Sequence, residues 1–122
     1  MTTTTSVQLV ASVAKGAATT PAIANADGSS SPFAIPAGKT FVVTDISIQR
    51  LSVLATTELV DVALAQEIPT GGTTNRWTFI GATTTNVERS FTTGIAFSKP
   101  FVVANGTQST DVVVVRLWGY FE

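Results

Sequence analysis

The chain contains no histidine and no cysteine. Histidine is the usual general base near neutral pH and the commonest metal ligand, and cysteine is the alternative nucleophile and soft ligand. Their absence excludes Ser-His-Asp and Cys-His catalysis, Cys/His zinc sites and disulfide frameworks. Charge is scarce too, with Asp, Glu, Lys and Arg making up 12% of the 122 residues against a usual share of roughly 25%. The seven basic residues are scattered singly and the net charge is −1, which leaves no electrostatic footprint for nucleic acid or an anionic membrane. No apolar run approaches the ~18 residues of a membrane helix. Met1 to Ser6 holds no Lys or Arg, so the mildly apolar Val7 to Ala11 lacks the cationic region of a signal peptide. The expectation is a chain made in the cytoplasm without a leader, with no membrane or nucleic-acid partner.

What is present is valine, threonine, alanine and serine in alternating order. Val7, Leu9, Ala11 and Val13 mark a half-buried first strand, and no segment carries a 3.6-residue apolar period. The Gly-, Ala-, Ser- and Pro-rich stretch 16–32 reads as a loop, with a turn at Asn25-Ala26-Asp27-Gly28. Phe33-Ala34-Ile35 reads as a short strand, followed by a type I turn over Ile35 to Gly38. Thr40 to Gln49 is a long strand whose Phe41-Val42-Val43 is apolar on both faces, whereas Ile46 and Ile48 continue only one. Either the second face is covered locally or a bulge near Thr44-Asp45 changes the parity. Strand signals recur at Leu59 to Ala65, Trp77 to Ile80, Val87 to Thr92, Ile95 to Phe97, Phe101 to Val103 and Asp111 to Phe121. About eight short strands indicate an all-β single antiparallel β-sandwich of jelly-roll type. The expected organisation is one domain: an arm and first strand over 1–16, a loop over 17–32 and the sandwich body over 33–122.

Several motifs imitate chemistry. Gly38-Lys39-Thr40 looks like the end of a phosphate loop, but Phe33 stands where the first glycine belongs and a strand follows. Asn25, Asp27 and Ser29 could offer oxygens to calcium, yet a turn explains them. Glu58, Asp61, Glu67 and Glu88 could supply a glycosidase pair, but Glu58 and Asp61 fall on opposite strand faces. Threonine clusters at Thr2 to Thr5, Thr73-Thr74 and Thr83 to Thr85 lack the fixed short period of an ice-binding ladder. Asn105-Gly106-Thr107 is a glycosylation sequon and, equally, a turn. No catalytic residue, metal site or cofactor is expected.

The last strand departs from the pattern. Val113, Val115, Leu117, Gly119 and Phe121 form one apolar face, which belongs in the core. The other face carries Val112, Val114, Arg116, Trp118 and Tyr120, the composition of an interface centre and not of a solvated sheet. This face is covered either by another protein or by a segment of the same subunit.

The stretch Phe33-Ala34-Ile35-Pro36-Ala37-Gly38-Lys39-Thr40-Phe41-Val42-Val43-Thr44-Asp45, with the closing Gly119-Tyr120-Phe121, resembles a group of small jelly-roll-like bacterial and phage proteins. The Thr/Ala-rich N-terminus is similar in texture to the arms of trimeric phage head-decoration (cement) proteins. The resemblance implies a non-enzymatic, virion-associated structural protein, a homotrimer bound to a capsid lattice. The alternative reading is a carbohydrate-binding or adhesin module with Trp77 as a sugar platform.

Overall fold

The computed structural model describes residues 6–50, 59–82, 86–106 and 112–122. Thr2 to Thr5, Glu58, Thr83 to Thr85, Thr107 and Asp111 lie outside the described residues. Among the described residues, ten strands form two antiparallel sheets: β1 (Val7–Val13), β2 (Ala18–Thr19), β3 (Ala22–Ala24), β4 (Ser30–Pro32), β5 (Phe41–Arg50), β6 (Leu59–Glu67), β7 (Thr73–Ala82), β8 (Asn86–Phe97), β9 (Phe101–Asn105) and β10 (Val113–Phe121). One sheet runs β4-β3-β1-β10-β5-β8, the other β2-β9-β6-β7. With the β3–β4 hairpin set aside, β1-β10-β5-β8 faces β2-β9-β6-β7. The β1–β2, β2–β3, β5–β6, β7–β8, β8–β9 and β9–β10 connections all pass between sheets. That is the jelly-roll sandwich the strand pattern implied.

The core is the alternate residues of both inner faces. Leu9, Val13, Phe41, Val43, Ile46, Ile48, Val62, Leu64, Val103, Val115 and Leu117 are fully buried or nearly so. Phe33, Phe41, Phe97, Phe101 and Phe121 gather at one end of the sandwich, with Phe97 and Phe101 stacked 4.1 Å apart and Phe33 edge-on to Phe41 at 5.0 Å. Such pairs add about 0.5–1.5 kcal/mol each beyond their area burial.

Both explanations offered for β5 hold at once. Trp118 pairs with Asp45 and Gly119 with Val43, so Thr44 is an extra residue in β5. That bulge shifts the parity and lets Phe41 and Val43 face the core on one side of it and Ile46 and Ile48 on the other. Val42 points outward yet is only 4% exposed, because β8 also bulges opposite it, between Ser90 and Ile95. Gly94 sits there at φ +74°, against Val42.

Four details differ from the sequence reading. Residues 17–32 are not a plain loop: β2, β3 and β4 lie within them and extend both sheets. Their two- and three-residue lengths are too short for periodicity to register. Phe33-Ala34-Ile35 is not a strand; Phe33 joins the aromatic cluster instead. The turn lies one residue later, over Pro36 to Lys39, closed by the Lys39 amide to the Pro36 carbonyl at 3.0 Å. Gly38, at φ +78°, is then its third residue, as a type II turn requires. The segments 87–92 and 95–97 are one strand, β8, carried through its bulge.

Gly119 is obligatory at the crossing. A Cβ there would overlap the Val42 carbonyl oxygen and stand 2.8 Å from Phe41 Cζ. Gly119→Ala should cost about 2–4 kcal/mol, the scale of overpacking against backbone, and lower Tm by roughly 10 °C. Thermal melting checks this, and an unchanged Tm would show that the bulge relaxes freely.

Candidate functional site: the outer face of the six-stranded sheet

Strand alternation places Gln8 and Val10 of β1, Val114, Arg116, Trp118 and Tyr120 of β10, Asp45, Ser47 and Gln49 of β5, and Glu88 and Ser90 of β8 on one solvent-side face. Val112 lies just before β10 and is half-buried, as are Val114, Arg116, Trp118 and Tyr120. The structure thus brings Val114, Arg116, Trp118 and Tyr120 to the middle of the widest sheet, with Val112 at its margin. β10 has two strands beyond it on the β8 side and three on the other. Ser6, the described end of the N-terminal arm, stands at this face beside Trp118 and Tyr120, and the rest of the arm lies outside the described residues.

The Thr44 bulge opens a groove beside Trp118. It holds about 360 Å³ and is lined by Thr44, Asp45, Ser47, Glu88, Ser90 and Trp118 among others. A second recess of about 560 Å³ continues past Thr44 along Gly119, Tyr120 and Phe121. Asp45 is fixed within the groove. Its Oδ1 accepts the Ser90 hydroxyl at 2.6 Å, and its Oδ2 lies 2.8 Å from the Thr44 hydroxyl, which is also 3.1 Å from the Trp118 carbonyl. The hydrogen bond from Ser90, then that from Thr44, lowers the Asp45 pKa below its ordinary value against a smaller opposing desolvation. Arg116 Nη1 donates to Gln49 Oε1 at 3.2 Å. Among the described residues, no carboxylate pairs with Arg116, and neither the Trp118 indole N–H nor the Tyr120 hydroxyl has a hydrogen-bond partner.

The groove unites two carboxylates that the sequence reading did not pair, Asp45 and Glu88. Glycoside hydrolysis needs one acid held protonated by a raised pKa, and Asp45 is shifted the opposite way. Asp61 and Glu67 lie on the other sheet. Among the described residues no group of His, Cys, Asp or Glu could hold a metal. Asn25, Asp27 and Ser29 are tied to one another: Asp27 Oδ1 accepts the Ser29 amide and hydroxyl, and Asn25 Nδ2 donates to Ser29 and Ser31. Asn105 of the sequon is 1% exposed and donates to the Val13 carbonyl, so the folded chain does not present it for glycosylation.

Trp77 points inward instead of outward. It pairs with Leu64 across the sheet, packs on the core margin and meets Phe91 edge-on at 5.6 Å. An indole engaged this way makes a poor stacking platform for a sugar. The sequence reading also missed the outer face of the four-stranded sheet, where Ala63, Ala65, Val102, Ala104 and Ile80 form an uncharged patch beside Asp61. Ile80 is 62% exposed. Alanines carry no patterning signal, and the β6–β9 pairing that assembles them joins distant segments.

Asp45 supplies a pH test. Its folded pKa lies below the unfolded value, so its contribution to stability is present above the usual carboxylate range and is lost as pH falls through the folded pKa. NMR titration should find the Asp45 carboxyl below 3.8, and Ser90→Ala should move it back up. An Asp45 pKa that does not move in Ser90→Ala would contradict the bond to Ser90 as the main cause.

No protein-family model matches this chain, and no curated protein matches it significantly.

Proposed function

We propose that the protein is a non-enzymatic structural protein that works by assembly, of the virion-accessory kind that decorates a capsid lattice, and that its contact surface is the β10 face. One observation carries this reading. Trp118 and Tyr120 stand among Val10, Val42 and Val114 in mid-sheet, half-buried, with their polar tips unpartnered among the described residues. Trp and Tyr with apolar neighbours and a single Arg are what interface centres are enriched in. The scarcity of charge over the whole chain fits a protein much of whose surface meets protein. The jelly roll is shared by capsid and lectin domains, so the fold alone favours neither reading; the placement of the aromatics weighs for assembly. A sugar-binding reading would shift from the inward Trp77 to the Trp118 groove.

Burying the Trp118 indole removes on the order of 200 Å² of surface from water. Trp118→Glu would set a carboxylate in that contact, at a cost of several kcal/mol, while leaving the core face one residue out of phase. The variant should keep a β-type circular dichroism spectrum and melt within a few degrees of the parent, yet fail to self-associate or bind its particle. Unfolding would make Trp118 a core residue, and unchanged association would remove the face from consideration. Loss of a glycan-array signal with association intact would transfer the site to a sugar.

A further inference from the structure

We infer that the occupant of the β10 face is a second copy of this chain, docked sheet to sheet about a two-fold axis that runs along β5. This rests on the reading of that face as an assembly surface and adds the partner and its orientation.

The strand register sets the relevant positions in rows. Arg116 pairs with Ser47, and Ser47 with Glu88; Trp118 pairs with Asp45, and Asp45 with Ser90. In both rows β5 is the middle strand. A two-fold axis lying in the interface plane and parallel to β5 exchanges each β10 position with the β8 position at the same height. Arg116 of one copy then faces Glu88 of the other, and the contact occurs twice. The same rotation lays Trp118 over the other copy's groove, whose lining includes Asp45, Ser47, Glu88, Arg89 and Ser90. There the indole N–H, unpartnered within one chain among the described residues, meets carboxylate and hydroxyl acceptors. Within one copy Arg116 and Glu88 stand two strands apart, roughly 10 Å at a spacing of about 4.8 Å. No ion pair joins them there among the described residues.

Overlap about this axis covers β10, β5 and β8, which hold 31 residues and at about 3.3 Å rise and 4.8 Å spacing span roughly 500 Å². Two such faces bury about 1,000 Å², the floor for a specific interface. The four strands of the other sheet span about 400 Å², and two such faces would bury only about 800 Å². Aligned packing of two twisted sheets at about −30° accommodates the arrangement.

Sedimentation of the full chain at micromolar concentration tests it. The parent should be a dimer, Arg116→Glu and Glu88→Arg should each weaken it at least tenfold, and the double variant should return it to within a few-fold. Because the chain has no cysteine, a second test is independent of those variants. Mixing Arg116→Cys protein with Glu88→Cys protein and a short bismaleimide should link the two chains, since packed sheets stand about 10 Å apart, beyond the reach of a direct disulfide. A trimer, single reversals without effect, a double variant that stays dissociated, or no cross-link would overturn the axis. A parent that stays monomeric, while Trp118→Glu still abolishes particle binding, would overturn the self-partner and leave the assembly reading standing.

Discussion

One extra residue, Thr44, sets the geometry on which the rest depends. Without it, period-2 alternation would carry Phe41 and Val43 into the core and turn Ile46 and Ile48 out to solvent. With it, β5 keeps its apolar side inward along its whole length, and β10 crosses it at Gly119, where a Cβ has no room. The local twist that accompanies a bulge also separates Asp45 from Val42 on the outer face. The groove beside Trp118 is the space this leaves. Core packing and the candidate surface are therefore two consequences of the same irregularity.

The two faces of the six-stranded sheet divide the work. The inner face packs against the four-stranded sheet and holds the phenylalanine cluster at one end. The outer face holds aromatics and valines, with Arg116 on β10, Asp45 on β5 and Glu88 on β8. An interface needs that mixture, since apolar burial supplies the affinity and charge placement fixes the orientation. A face of alanines, like that of β6 and β9, supplies little of either.

Much of this was legible in the chain itself, for stated reasons. The β10 faces could be read because nine residues alternate without interruption from Val113 to Phe121. The bulge could be anticipated because Phe41-Val42-Val43 and Ile46-Ile48 demand opposite parities. The β2, β3 and β4 strands could not, because two or three residues show no period and their pairing is dictated by β1 and β9. The groove escaped for a similar reason: Asp45, Glu88 and Trp118 are far apart in sequence, and only the β5 register brings them together. Trp77 misled because an isolated aromatic in an alternating strand does not declare its face, and its partner Phe91 sits within a bulge.

The central claim is that the β10 face is covered by protein in solution, and Trp118 reports on it directly. Trp77→Phe leaves Trp118 as the sole tryptophan while keeping an aromatic ring against Phe91. Acrylamide quenching of that single indole, followed from nanomolar to tens of micromolar protein, should fall several-fold as copies associate, with a blue shift in emission. Quenching that stays high across the whole range would mean that the indole remains open to water and that no second copy covers this face.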